Sequence, residues 1–448
     1  MLLVDNFLKL RRFFILYYNP YSEELKDERL ELVSEELRGN TKYLLYKLHA
    51  RQINTCPKCN SNNTIKYGIR RRKIEMSLLA HYKTDITLEY PRFKCKDCLS
   101  IFSDDASLTD SGETISRSTK FSILLDAKED LSFTYIAKKN SVSTQTVINI
   151  FESFVFPKRR TLPEVICMDE FKNLKSAYGK YAFLIIDPIA HKIVDVVEDR
   201  RLNILESYFY NIPWEERTKV KYIITDMYEA YRTIVKKCFP NATHIIDTFH
   251  FLRYVEDAFN NVRIKVQSSF GKETPEYKIL KNNWRILSAY IIDIEGDNLY
   301  NPLTKKRCTA NEIITSSLEL SSELTEAYIL CQDFLKAIRS LKYEEADVFM
   351  DDWINRLKES SLKEFNDLAG MFENWKKEIM NSFIRFGERR LHNGYIEGVI
   401  NHIKEIKRIS YGYGNFHHLR ARIMYIFNDD VPLSKVDTTI IKRKKRKN

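Results

Sequence analysis

Three carboxylates stand where a chain could build a divalent-metal cage: Asp169, Asp226 and Glu397. Asp169 follows the apolar run Val165-Ile-Cys-Met168, and Asp226 follows Tyr222-Ile-Ile-Thr225. Glu397 lies in a helix-like stretch, His392-Asn-Gly-Tyr-Ile-Glu-Gly-Val-Ile-Asn-His402. Two acids at strand ends and a third on a helix can hold two divalent cations. Such a pair activates water or a sugar hydroxyl for attack on phosphate. A lone acid after an apolar run is common, so the reading depends on the elements around it.

A second pattern is sharper. Cys56-x-x-Cys59 and Cys95-x-x-Cys98 offer four thiolates as two tight knuckles, the donor set of one tetrahedral structural Zn²⁺. The other four cysteines are scattered. In a chain read as cytosolic, paired cysteines point to metal rather than disulfides. A redox dithiol is the competing reading, but thioredoxin-like motifs come singly with βαβ surroundings.

The elements that must position these groups follow from length, charge and periodicity. A chain of 448 residues is too long for one ordinary core, so two to four domains are expected. The longest apolar runs, such as Phe13 to Tyr18, are too short to span a bilayer, and no signal peptide is visible. A cytoplasmic protein is expected. Net charge is +11, and residues 51–100 hold eleven Lys/Arg against four Asp/Glu. Clustered positive charge suits a polyanion partner, since each neutralised phosphate releases counterions. A solvated surface with a frayed basic tail is the bland alternative.

Residues 1–50 read as a helical segment of mixed charge, with no specific function. Residues 51–103 read as a zinc ribbon, whose small core leaves the metal to supply much of the folding energy. Its basic run, Arg70, Arg71, Arg72 and Lys73, could face DNA phosphates. Residues 110–157 have the layout of a helix-turn-helix. Ile136 and Ala137 close the first helix, Asn140 and Ser141 turn, and Ser143 can cap the next. Thr144, Gln145 and Thr146 would then face the major groove. Such three-helix units also occur as scaffolding.

From 163 to 260 the periodicity changes to β-β-β-α-β-α-β-α, with strands near 165–170, 181–187, 192–197, 220–225 and 243–246. This order is that of an α/β RNase H-like core, in which the first and fourth strands are neighbours. Asp169 and Asp226 would then lie side by side near strand ends. Residues 261–385 read as an all-helical insertion. Residues 386–428 resume the core as a C-terminal helix, and 429–448 form a basic tail. On the last helix Glu397, Asn401, Lys404 and Arg408 share one face, a metal ligand continuing into a phosphate-binding strip. An ordinary solvated stripe has the same spacing.

These residues together resemble the DDE insertion-sequence transposases of the ISL-three family. The resemblance rests on Met168-Asp-Glu-Phe171, on Thr225-Asp226 with Tyr228 and Tyr231, and on Ile246-Asp-Thr-Phe-His250. It continues in Asn393-Gly-Tyr-Ile-Glu397, Asn401, Ile406-Lys-Arg408 and Tyr411-Gly412, and covers roughly residues 50–425. It implies a zinc ribbon and a helix-turn-helix ahead of an RNase H-like core. It implies that Asp169, Asp226 and Glu397 hold two Mg²⁺ or Mn²⁺ ions for metal-dependent 3′-end nicking and strand transfer into target DNA. It also implies terminal inverted repeats as DNA partner, a homodimer on DNA and association with a bacterial nucleoid. His250, in an Asp-x-x-His pattern with Asp247, is expected near the reacting groups; capping and packing at a helix start is the equal alternative. Glu170 should point to the other strand face. A catalytically silent zinc-ribbon DNA-binding regulator and a structure-selective nuclease of the same core remain alternatives.

Overall fold

A computed structural model describes residues 25–428, apart from 26, 50–54, 80–81, 104–107, 111–112, 295, 388 and 411–412. The stretch 1–24, the basic tail 429–448 and Tyr411-Gly412 lie outside the described residues. The chain forms two compact units, residues 1–157 with 403–448, and residues 158–402.

The first unit opens with strands where a helix was expected. β1 (Leu30–Arg38) and β2 (Thr41–Leu48) form an antiparallel hairpin, correcting the helical reading of residues 1–50 over its described part. β2 continues as a parallel neighbour of β4 (Tyr82–Cys95), which pairs with β3 (Thr64–Leu79) and the short β5 (Ile101–Ser103). The sheet order is β1-β2-β4-β3. Alternation explains it: Leu44, Tyr46 and Leu48 bury one face against Ile74, Met76, Ile86 and Leu88. The hairpin and the ribbon strands therefore share one sheet. β1 is exposed along nearly its whole length, so it carries little of that alternation.

Three helices follow: α1 (Arg117–Asp126), α2 (Phe133–Asn140) and α3 (Thr144–Phe154). Ser116, Ser132 and Ser143 cap them, each accepting a backbone N–H three residues on. Ser141 ends α2 in the left-handed region at φ 56°. The core of this helical group includes Ile123, Ile136, Val147 and Phe151, and also Ala421 and Tyr425 from the end of the chain.

The second unit holds a five-stranded sheet: β6 (Val165–Lys172), β7 (Tyr181–Asp187), β8 (Lys192–Val197), β9 (Tyr222–Thr225) and β10 (Thr243–Ile246). Its order is β10-β9-β6-β7-β8. β6, β7 and β8 are antiparallel, while β9 and β10 run parallel to β6 and to each other. β7, between β6 and β8, reads as an apolar run because its five middle residues are all buried. α4 (Leu202–Tyr210), the single turn α5 (Trp214–Arg217) and α6 (Glu229–Cys238) lie between strands; Leu205, Phe209, Tyr231 and Ile234 pack in one core with Ile166, Phe183 and Ile223.

After β10 the chain becomes mostly helical: α7 (Thr248–Ser269), α8 (Pro275–Asn282), α9 (Trp284–Ser288), α10 (Ala310–Leu318), α11 (Ser322–Ser340), α12 (Tyr343–Glu359) and α13 (Lys363–Met380). Phe251, Phe259, Phe334, Trp353 and Phe372 are fully buried at its centre. The all-helical expectation needs one correction. β11 (Leu299–Asn301) and β12 (Lys306–Cys308) form a small hairpin between α9 and α10. β13 (Arg385–Phe386) and β14 (Arg389–Arg390) form another just before α14 (Gly394–Ile409). Strands of two or three residues are too short to show a period. α15 (Phe416–Phe427) ends the described chain.

Candidate active site and metal centres

The zinc expectation is met by geometry. The Sγ atoms of Cys56, Cys59, Cys95 and Cys98 all lie within 4.8 Å of one another. Cys56 and Cys98 are 3.6 Å apart, as are Cys59 and Cys95. A zinc ion ~2.3 Å from four tetrahedral sulfurs sets them roughly 3.8 Å apart, so the knuckles fit the ion. Each knuckle turns on a residue in the left-handed region four after its first cysteine, Asn60 at φ 58° and Leu99 at φ 59°. The Ser100 hydroxyl, foremost, lowers the Cys56 and Cys98 thiols, while the neighbouring sulfurs push Cys59 up, so the four share their protons as one cluster. Thiolate character is what the metal requires.

The carboxylates are placed by the sheet. The parallel ladder between β6 and β9 runs Val165↔Tyr222, Ile166↔Ile223, Cys167↔Ile224 and stops. Asp169 and Asp226 each lie two residues beyond its last rung. Asp169 is inside β6 rather than at its end, because β6 stays paired with β7 to Lys172. Burial, then the charge of Asp226, pushes the Asp169 carboxyl up to about 7. Two carboxylates in a poorly hydrated place disfavour each other's ionisation.

His250, in the first turn of α7, brings Nε2 to 2.6 Å from Asp226 Oδ1. That oxygen is buried, with His250 beside it. Burial disfavours the imidazolium, but Asp226, Asp247 and Asp169 outweigh it, and the His250 pKa lies above its ordinary value. Asp247 does something else. Its Oδ1 accepts the Asn393 N–H at 3.1 Å, which ties the start of α7 to the start of α14. The Asp-x-x-His pattern therefore splits, one residue to the second acid and one to the helix of the third.

Glu397 is exposed on the first turn of α14. That turn is pinned twice more. The Tyr395 hydroxyl donates to His191 O at 2.8 Å, and the two rings stack 4.4 Å apart. A Cβ at Gly394 would meet His392 Nδ1 at 3.0 Å, so a side chain there would require the exposed His392 ring to turn aside. Among the described residues, the four cysteines alone bring three or more ligand side chains within 4.8 Å. The structure thus pairs Asp169 with Asp226 and does not close Glu397 onto them at that spacing. Asp169 and Asp226 fit a hard divalent cation: they offer oxygen donors, and a cation would relieve their charge conflict.

The expected DNA contacts are spread over several elements. Arg70, Arg71 and Lys73 are exposed on β3, and Arg71 pairs with Glu89 at 2.6 Å. Arg72 is half-buried, its guanidinium 5.9 Å from the Tyr90 ring centre. Gln145 is exposed at the start of α3, while Thr144 and Thr146 are half-buried and the Thr146 hydroxyl is spent on Ser143. Asn401, Lys404 and Arg408 lie on the exposed face of α14, opposite Ile396, Val399, Ile403 and Ile406. Arg200, which no local pattern marks, pairs with Glu170 from thirty residues away.

Comparison with known proteins places the chain in a family. Residues 166–423 match the transposase family of the DDE, ISL3 type. The chain belongs to the ISL3 family of DDE transposases. Residues 53–98 match the family described as zinc-finger of transposase IS204/IS1001/IS1096/IS1165. The chain is 22% identical over 265 residues to the transposase for insertion sequence element IS1001 of Bordetella parapertussis, covering 59% of this chain and 61% of that one. It is also 29% identical over 116 residues to a Lactococcus lactis protein named ATP-dependent protease, covering 26% and 34%. The matches thus span about three fifths and one third of these relatives. The two Gly-Lys pairs of this chain precede Tyr181 and Glu273, so neither forms the Gly-Lys-Ser/Thr end of a P-loop. No helix among the described residues is long and apolar enough to cross a membrane.

Proposed function

We propose that this ISL3-family protein is an active transposase that binds the terminal inverted repeats of its element, nicks their 3′ ends and joins them to target DNA. The observation that carries the reading is the shared position of Asp169 and Asp226, two residues past the Cys167↔Ile224 rung of adjacent parallel strands. The sheet order, three antiparallel strands with two parallel ones on the β6 side, supports an RNase H-like core.

In this reading Asp169, Asp226 and Glu397 hold two Mg²⁺ or Mn²⁺ ions, and Glu397 completes the set when DNA is bound. The cations supply charge stabilisation to the entering and leaving oxygens of an in-line displacement. His250 orients the Asp226 carboxylate through its 2.6 Å contact. Asp247 and Tyr395 fix the start of the Glu397 helix. The α2–α3 pair reads DNA as a helix-turn-helix, with Gln145 the most exposed of its three groove candidates. Arg70, Arg71 and Lys73 on β3, and Asn401, Lys404 and Arg408 on α14, contact phosphates. Two ends must meet for joining, so a homodimer on DNA is part of the proposal.

Labelled DNA carrying the element's terminal repeats tests this. Metal-dependent nicking and joining is expected from the wild type, with a loss of at least about a thousandfold in Asp226→Asn. Binding without cleavage would favour a silent regulator. Cleavage indifferent to the repeats would favour a structure-selective nuclease.

A further inference from the structure

Glu170, Tyr228 and Tyr231 flank the two aspartates in sequence, yet phosphate chemistry gives them no task. Their contacts suggest one. The β6–β9 ladder ends two residues short of both acids, so its backbone bonds do not fix the carboxylate separation. The two like charges also push apart.

A continuous chain of bonds spans the gap instead. The Tyr228 N–H donates to Asp226 O at 2.8 Å, and the Tyr231 N–H donates to Tyr228 O at 2.9 Å. The Tyr231 hydroxyl donates to Glu170 Oε2. The Glu170 N–H donates to Asp169 Oδ1 at 2.6 Å. Arg200 secures the middle of this chain. Its Nη1 pairs with Glu170 Oε1, while its guanidinium lies 4.5 Å from the Tyr181 ring centre and 5.2 Å from that of Tyr228. Tyr231 cannot swing away: it is fully buried, with its ring against Phe183 and Tyr228. Both Glu170 oxygens are engaged, one by Arg200 and one by Tyr231, which removes Glu170 as a metal ligand.

We propose that Glu170, Tyr231 and Arg200 form a positioning strut that sets the spacing of Asp169 and Asp226 and so tunes how tightly the pair takes a divalent cation. This rests on the metal-binding role proposed above. Partners behind metal ligands commonly change affinity by about 10–100-fold when removed.

Tyr231→Phe deletes the hydroxyl and keeps the ring. Mn²⁺ titration of the full-length protein, followed by electron paramagnetic resonance, is expected to show about tenfold weaker binding in this variant. Glu170→Gln, which still offers Tyr231 an acceptor, should fall between it and wild type. Repeat-end cleavage by Tyr231→Phe should need correspondingly more Mn²⁺ and recover near the wild-type rate at saturation. DNA affinity should stay at the wild-type value, and the metal-free melting temperature should fall by no more than the loss of one buried hydrogen bond. Wild-type Mn²⁺ affinity in both variants overturns the strut. So does a Tyr231→Phe protein whose DNA affinity and melting temperature fall together, with Glu170→Gln binding Mn²⁺ normally. If Asp226→Asn binds Mn²⁺ as wild type does, the metal site itself is refuted and the strut falls with it. Loss in Asp226→Asn with no change in either strut variant refutes the strut alone.

Discussion

At Asp169 stability and chemistry pull in opposite directions. Its carboxyl is pushed up to about 7, by burial first and by Asp226 second. An unfolded Asp ionises near ~3.9, so between that pH and 7 the folded state holds a proton that the unfolded state has lost. Stability therefore falls as pH rises through that window, and the full penalty stands above it. Asp169→Asn is expected to stabilise the metal-free protein by about 1–3 kcal/mol at pH 8 and by nothing near pH ~4. Thermal melts at the two pH values check this, and added Mg²⁺ should shrink the gap. Equal melts at pH 8 would mean that the aspartate pair is better solvated than its burial indicates. His250 offers a second check. His250→Ala frees the Asp226 carboxylate to turn, and repeat-end cleavage should slow by about 10²-fold while end binding holds.

At the scale of elements, the knuckles and the chain-terminal helix make separable predictions. Cys95→Ser removes one of four donors, so zinc content should drop from about one ion per chain to near none. End binding should weaken while the 158–402 unit keeps its melting transition; full zinc content after the substitution would contradict the fit. α15 makes a less expected claim. Arg422 is buried, donates to Glu129 O at 2.8 Å and Leu131 O at 2.7 Å, and lies 4.9 Å from the Phe133 ring centre. The Tyr425 hydroxyl donates to Leu124 O at 3.0 Å, and Lys128 Nζ caps the helix end through Tyr425 O and Asn428 O. The three-helix group is thus completed by a helix from the other end of the chain. Arg422→Ala should cost about 2–4 kcal/mol, since two carbonyls lose their donor and a cavity opens. It should also weaken end binding, although α15 carries none of the expected base contacts. A chemical denaturation series on the full chain measures the first, and gel retardation the second.

For the whole molecule, charge sets the prediction. Net charge is +11, and the ribbon segment carries much of the excess. Log affinity for DNA should fall linearly with log salt, and replacing Arg70, Arg71 and Lys73 together by Ala should reduce the slope by about 2–3. An unchanged slope would move the phosphate contacts elsewhere, with the exposed face of α14 the next place to look.

Sequence alone determined what local chemistry and period can encode. Four cysteines in two tight pairs dictate a metal knuckle wherever the chain places them. The apolar runs before Asp169 and Asp226 point to buried strands, because they are only four residues long, rich in β-branched side chains and apolar almost throughout. Ser143 announces its helix because a cap is a three-residue device. Tertiary structure decided the rest. β1 is an exposed edge without alternation, so its acid-rich run passed for a helix until pairing with β2 fixed it. The two short hairpins, one inside the helical insertion and one at its end, depend on their neighbours and not on their own period. Arg200 and Glu170, Asp247 and Asn393, and Arg422 and Leu131 meet because folding closes long loops. No local rule pairs residues so far apart; only the packed chain makes those bonds favourable.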